Sequence, residues 1–313
     1  MKEISVIGAT SSLGINLVSL LAAKGYKVFA AFRTEERVPD EWHENSSIIL
    51  QKLDLNKQGD FTNVARETVV WLAHLEQGRF NERETEVNLK PFENFLNQTQ
   101  NSLIEKFVFI SSGGSVYGEP QFLPITEEHP RNPLSSYGKA KCAMEDKLSE
   151  VSRKSKLKTA IIRPGNIYGF ENPDRASKGI IAAFLNAIQT KTPFTLIHKG
   201  QTVRDFVHVV DVSHAILAAI ESNQKEIVWN VATEKGTTAA EVLEIILEKS
   251  GFEKPKINNI ENFSSDVGAN ILSIDRITSE SEWVPQVTTE EGISRTIENW
   301  KRAENSFSQK SNQ

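Results

Sequence analysis

The chain has 313 residues, room for two domains or for one large α/β domain with an appended lobe. Apolar residues are 39% and charged residues 25%, which excludes a disordered chain. The net charge of −5 argues against a dedicated nucleic-acid binder, and the one cysteine, Cys142, excludes an internal disulfide or a cysteine-built zinc site and fits a reducing, cytoplasmic compartment.

In chain order, residues 4–7 read as a short buried strand and residues 13–24 as a buried helix. No charge occurs from Ile4 to Ala23, and that length would span a bilayer. Ser5, Thr10, Ser11, Ser12, Asn16 and Ser19 break its apolarity, so no membrane segment is expected. Strands follow at 27–32, 47–50, 68–72, 106–110 and 159–162, with helices at 88–101 and 136–154. Such alternation implies right-handed crossovers and a parallel sheet, and the apolar run 107–110 fits a sheet covered on both faces. The second half is less regular. A helix at 179–189 precedes a strand, helix and strand at 203–209, 212–221 and 227–231, read as rejoining the sheet. Helices at 238–250 and 290–302 belong to a smaller lobe, and the polar tail from Arg302 is expected to fray. No internal repeat or low-complexity linker is evident.

Between the first strand and the first helix stands Gly8-Ala9-Thr10-Ser11-Ser12-Leu13-Gly14. Backbone N–H groups and the positive end of a helix dipole suit a pyrophosphate there, and small residues let it approach the main chain. A tight turn without ligand has the same look. The second strand ends at Phe32-Arg33, where an acid would accept from the adenosine ribose and favour NAD. Arg33 stands there instead, with Arg37 four residues on. Guanidinium groups pair with a 2′-phosphate, so this corner leans to NADP(H); two solvated surface arginines are the plain alternative. Asp54, after the third strand, either accepts from an adenine amino group or caps a helix.

Tyr137 and Lys141 lie four apart in a helical segment and so share a face. A nearby ammonium favours phenolate and makes the tyrosine a usable acid or base. Three further segments sharpen the pair: Ser111-Ser112-Gly113-Gly114-Ser115-Val116-Tyr117-Gly118, Arg163-Pro164-Gly165-Asn166-Ile167-Tyr168-Gly169, and Arg204-Asp205-Phe206-Val207-His208-Val209-Val210-Asp211. In this order, with the N-terminal turn, they resemble the extended short-chain dehydrogenase/reductase family over about residues 3–300. More narrowly, they resemble its NAD(P)-dependent nucleotide-sugar epimerase/dehydratase branch.

The resemblance implies an α/β fold: a Rossmann-like doubly wound parallel sheet with a smaller C-terminal α/β substrate lobe. Residues 1–167 and 204–231 would form the dinucleotide-binding domain, and 168–203 and 232–313 the lobe. Tyr137 would be the acid/base and Lys141 would hold the nicotinamide ribose, with Ser112 and Ser115 completing the catalytic set. Gly8, Thr10, Ser11, Ser12, Leu13, Gly14, Arg33, Arg37, Asp54, Leu55, Leu72, Ala73, Pro164, Asn166 and Ile167 would join Tyr137 and Lys141 around the cofactor, NADP with NAD also possible. A nucleotide-diphosphate sugar would be the partner, met by Asn166, Arg204 and Tyr117, the Arg204 fork on its diphosphate. Asn88 would support the site from the opening of its helix. A homodimer is expected; a metal, nucleic acid or membrane is not.

Departures from the family pattern narrow the chemistry. Ser11 replaces a glycine of the phosphate turn. Gly113 stands where the family carries a third catalytic hydroxyl, so that hydroxyl must come from Ser112, Ser115 or water. Gly114 and Ser115 replace the Asp-Glu pair of dehydratases, leaving no base for a sugar C5 proton. A Glu of the decarboxylases is missing at Ser115 as well. Phe263-Ser264-Ser265-Asp266 replaces an Arg-Pro-x-Asp that would reach the substrate diphosphate. The six histidines show no metal-ligand spacing, Cys142 reads as a packed thiol, and Trp229 and Trp283 as core. Three readings remain: an NADPH-dependent reductase of a nucleotide-diphospho-4-keto-(deoxy)sugar, a 4-epimerase of the UDP-glucose/UDP-galactose type, and a non-catalytic dinucleotide sensor.

Overall fold

A computed structural model describes residues 2–57, 61–75, 82–99, 103–169, 179–261 and 267–310. Its first half runs β1 (Glu3–Ile7), α1 (Ser12–Ala23), β2 (Lys27–Phe32), α2 (Glu41–Glu44), β3 (Ile48–Lys52), β4 (Thr68–Trp71), α3 (Glu84–Thr99), β5 (Lys106–Ile110), α4 (Gly113–Val116), α5 (Ser136–Lys154) and β6 (Lys158–Pro164). The second half adds β7 (Asn166–Tyr168), α6 (Ile180–Thr190), β8 (Phe194–Ile197), β9 (Val203–His208), α7 (Val209–Glu221), β10 (Glu226–Val231), β11 (Gly236–Thr238), α8 (Ala239–Ser250), β12 (Ile257–Ile260), β13 (Ala269–Asn270), α9 (Asp275–Glu280) and α10 (Thr289–Lys310).

Seven strands pair in parallel in the order β10-β6-β5-β4-β1-β2-β3. The strands are apolar at consecutive positions because both faces are covered. Side chains alternate between two cores: Val6, Val70 and Val108 pack with Leu17, Val18 and Ile216 of α1 and α7. Ile7, Trp71, Phe107 and Phe109 pack with Phe92 and Phe95 of α3 and Met144 and Leu148 of α5. A third core, with Phe184, Phe206, Val242, Ile246 and Ile293, holds the C-terminal lobe together. The uncharged run from Ile4 is thus β1, a turn and α1, and no helix among the described residues is long and apolar enough to cross a membrane.

Three expectations change. The strand at β9 does not rejoin the seven-stranded sheet: it pairs with β11, β13 and β7 in a second sheet, and only β10 returns to the main one. The helix expected from residue 88 begins a turn earlier, at Glu84, and carries Pro91 inside it. The C-terminal helix, expected over 290–302, spans Thr289–Lys310. In the first two cases tertiary packing overrode local pattern: β9 buries Phe206 in the lobe, and the polar start of α3 is held by the buried Glu84.

A candidate active-site cleft

The sheet order reverses between β1 and β4, so the chain leaves these strands toward opposite faces and a crevice opens at their carboxyl ends. A cleft of about 870 Å³ runs along that edge. It gathers most residues read from the sequence: Ser11, Ser12 and Leu13 at the start of α1, Arg33 and Arg37 beyond β2, Leu72 after β4, Ser112 and Ser115 at α4, Tyr137 and Lys141 on α5, Pro164 at the end of β6, Asn166 and Ile167 on β7, and Arg204 on β9.

The turn before α1 is built for its shape. Gly8 has φ +89°, and a Cβ there would stand 2.9 Å from the Ala73 nitrogen. Thr10 is buried beneath the turn, and the Ser11 Oγ caps α1 by accepting from the Gly14 N–H at 3.1 Å. No acidic residue occupies the first turn of α1, so its positive end faces the cleft uncompensated. Gly8, Thr10, Gly14 and Ala73 thus shape the wall without lining it.

The Tyr137–Lys141 pair is fixed from α5. Arg163 on β6 grips the buried Glu145 through Nη2–Oε2 at 2.6 Å and Nε–Oε1 at 3.1 Å, tying α5 to the sheet. One turn before Glu145, the buried Lys141 donates from Nζ to the Ile110 carbonyl at 2.7 Å, and Nζ lies 5.6 Å from the Tyr137 ring centroid. Burial lowers the Lys141 pKa to about 7, with the Glu145 charge opposing. Burial raises Tyr137 to about 12; a hydrogen bond with the Ser112 hydroxyl lowers it, and the Glu84 carboxylate raises it. The Ser112 and Ser115 hydroxyls are 3.3 Å apart. Gly113 sits behind them, packed against Leu272.

Other expected residues fall elsewhere. Tyr117 is fully buried away from the cleft; its hydroxyl donates to Asn230 Oδ1 at 2.7 Å and accepts from Arg163 Nη1 at 2.9 Å, so it cannot meet a substrate as expected. Asp54 accepts from the Asn56 N–H at 3.1 Å in a turn, no helix following it among the described residues, and Leu55 packs on the α3–α5 side of the core. Asn56, not Asp54, reaches the cleft. Asn88 lies a turn inside α3; its Oδ1 accepts from the Leu75 N–H at 2.7 Å and its Nδ2 donates to the Leu75 carbonyl at 2.9 Å. The Arg204 Nη1 donates to its neighbour's carbonyl, Val203 O, at 2.7 Å while lining the cleft. Residues 263–266 lie outside the described residues.

Two side chains were missed. Ser111 is buried in the cleft wall, and its Oγ finds no hydrogen-bond partner among the described residues. His74, just past β4, also lines the cleft, 4.6 Å ring to ring from Tyr137. Spacing gave no hint of it; its place at the strand end nearest the sheet's reversal was the available signal. Of the other histidines, the buried His208 caps α7. No group of three or more metal-ligating side chains occurs among the described residues. The half-buried Cys142 thiol is pushed up to about 11, chiefly by burial, and Trp229 and Trp283 are core.

Comparison with known proteins places this geometry. A sequence model of the NAD dependent epimerase/dehydratase family matches residues 4–232. A Methanocaldococcus jannaschii protein named putative UDP-glucose 4-epimerase is 34% identical over 220 residues, 70% of each chain. An Escherichia coli dTDP-4-dehydro-6-deoxyglucose reductase is 29% identical over 193 residues, 62% of this chain and 60% of its own. The structure of the Thermotoga maritima UDP-glucose 4-epimerase with UDP-glucose superposes with a TM-score of 0.86 at 26% identity, over 96% of this chain and 99% of that one. The Thermus thermophilus UDP-glucose 4-epimerase with NAD gives 0.83 at 27% identity, with the same coverage.

Proposed function

The chain belongs to the NAD dependent epimerase/dehydratase family, and from that premise we propose that it reduces the 4-keto group of a nucleotide-diphosphate sugar with NADPH. The observation that carries the reductive reading is the corner beyond β2. The residue after this strand is Arg33 where an acid would favour NAD, and Arg37 joins it on the cleft wall. Paired guanidinium groups suit the doubly charged 2′-phosphate that distinguishes NADPH.

The cleft fits a dinucleotide. The uncompensated start of α1 suits the pyrophosphate, and the buried Ser111 Oγ, unpartnered among the described residues, is an atom that a ligand in the cleft would satisfy. Ser11, Ser12, Leu13, Arg33, Arg37 and Leu72 would hold the cofactor, with Lys141, Pro164, Asn166 and Ile167 toward the nicotinamide. When bound, NADPH supplies a hydride. Tyr137 supplies the proton: its phenol O–H donates to the carbonyl oxygen as that carbon becomes tetrahedral. Lys141, with Nζ 5.6 Å from the Tyr137 ring centroid, would favour the phenolate left behind when it carries its proton, and the Ser112 and Ser115 hydroxyls would carry the replacement proton inward. Arg204 would pair with the substrate diphosphate and Asn166 would face the sugar. The substrate lobe in this reading is 168–203 with 232–313, closing on the sheet edge.

A second reading, 4-epimerisation, is favoured by the names of the Methanocaldococcus and Thermotoga proteins. Tyr137 would then take the sugar's 4-OH proton and later return it. Against the sensor reading, the family is one of enzymes, and Tyr137 and Lys141 both line the cleft. One experiment separates the first two. Purified protein is mixed with a dTDP-4-keto-6-deoxyhexose and NADPH or NADH, and with UDP-glucose without added cofactor. Loss of NADPH with formation of the 4-hydroxy sugar is expected. Preference for NADH, or UDP-glucose/UDP-galactose interconversion with no net loss of NADPH, would overturn the reductive reading.

A further inference from the structure

Beside the cleft stands a buried histidine–glutamate pair that the proposed chemistry has not used. His74 Nε2 meets Glu84 Oε1 at 2.7 Å. The two side chains are only 10% and 3% exposed, so the pair is shut away from water. The His74 ring stands edge-on to the Tyr137 ring, centroids 4.6 Å apart and planes at 72°. Both ends are anchored. Glu84 opens α3, which packs along α5. Asn88, a turn later, clamps the backbone of Leu75, the neighbour of His74, with two hydrogen bonds, and its Nδ2 also reaches the Glu84 carbonyl at 2.9 Å.

A buried carboxylate needs a partner with a proton, and a contact this short is typical of an imidazolium–carboxylate pair. We propose that His74, held by Glu84, is a positioning residue for Tyr137: it fixes the ring in the cleft and places a proton-bearing imidazolium beside it, favouring the phenolate. This rests on Tyr137 being the proton-transferring group. It acts beside Lys141, which approaches from α5. Around the phenol, the titratable and polar groups among the described residues are then Lys141 from α5, Glu84 from α3, His74 from the segment after β4, and the Ser112 hydroxyl at α4. Glu84 alone would oppose ionisation of the phenol; paired with His74 it holds the cation in place.

The test follows the phenol and needs no sugar substrate. The protein is produced with 3-fluorotyrosine at its four tyrosines, and the Tyr137 resonance is assigned by its loss in Tyr137→Phe. Its midpoint is measured by 19F NMR against pH, with oxidised NADP present. His74→Phe keeps a ring against Tyr137 but removes the cation; Glu84→Gln removes the charge that holds it. Both substitutions are expected to raise the midpoint by about one unit, a roughly tenfold loss of phenolate at a given pH. An unchanged midpoint in either folded variant, or a lower one in Glu84→Gln, overturns the proposal. Should His74→Phe fail to fold, His74→Gln keeps a donor for Glu84 without the charge and must give the same rise. If the sugar reaction fails while the midpoints move as stated, the reaction was misassigned and the positioning role stands.

Discussion

The Cδ1 of Leu272 stands where a side chain on Gly113 would have to go: a Cβ there would collide with it. Leu272 is fully buried with Val116, Tyr117, Ile125 and Ala232, and the Arg163 carbonyl closes the other side at 2.9 Å. Position 113 therefore admits no hydroxyl-bearing side chain, and the hydroxyl bonded to Tyr137 belongs to Ser112.

Restoring a hydroxyl by Gly113→Ser is accordingly expected to damage the protein. Overpacking of this kind costs about 1–3 kcal/mol, read as a lower Tm, with no gain in turnover. Ser112→Ala, which removes the hydroxyl actually present, is expected to lower kcat about 10- to 100-fold with little change in Tm. A fully stable and more active Gly113→Ser protein would contradict this packing.

Tyr137→Phe removes one oxygen from the cleft and no charge from its walls. In the proposed reduction, kcat should fall about 10²- to 10⁴-fold, the range for loss of a positioned acid. Cofactor affinity, measured by calorimetry, should stay within a few-fold, because the start of α1 and Arg33 are untouched. Loss of binding in step with loss of rate would mean that Tyr137 acts as a cofactor contact alone.

Cofactor choice is tested at Arg33. A charge-assisted bidentate bond to a 2′-phosphate contributes about 1.5–3 kcal/mol. Arg33→Ala should therefore weaken NADPH at least tenfold and leave NADH nearly unchanged, and Arg33→Asp should reverse the preference. Equal loss for both cofactors would show that Arg33 holds something other than the 2′-phosphate.

How much of this could be read from the chain alone follows from what each signal depends on. The strands of the main sheet were legible because apolar runs such as Phe107, Val108, Phe109 and Ile110 are buried on both faces whatever the partner. The turn at Gly8 and the Tyr137–Lys141 face were legible because their chemistry depends on spacing along one element. Contacts made across the fold were not. Tyr117 sits in a motif beside the cleft, yet its hydroxyl is claimed by Asn230 from β10, more than a hundred residues on. His74 meets Glu84 only because α3 starts one turn earlier than its pattern indicates. Asp205 and β9 were assigned to the wrong sheet, because Thr233 and Leu272, which bond the Asp205 carboxylate, lie far off in sequence.

Acid stability depends on His208. The ring is buried between the lobe and α7, 5.4 Å from the Tyr168 ring, and its Nδ1 accepts from the Val210 N–H at 3.4 Å. Burial, helped by the Arg295 charge, lowers its pKa to about 4, well below the value of roughly 6.5 in an unfolded chain. The unfolded chain therefore takes up this proton first. The stability that neutral His208 provides is complete above about pH 6.5 and is lost as the pH falls toward 4. Asp205 acts oppositely: burial raises it to about 6, so its contribution is lost as pH rises through that value. The two windows overlap, so the test is a difference. Tm is measured from pH 7.5 to 4 for the protein and for His208→Gln, which keeps an acceptor for the helix but does not titrate. The variant should start lower near neutrality, by about 1 kcal/mol for the altered cap, and fall less steeply on acidification, so that the curves converge toward pH 4. Parallel curves would mean that His208 accepts its proton in the fold as readily as in the unfolded chain.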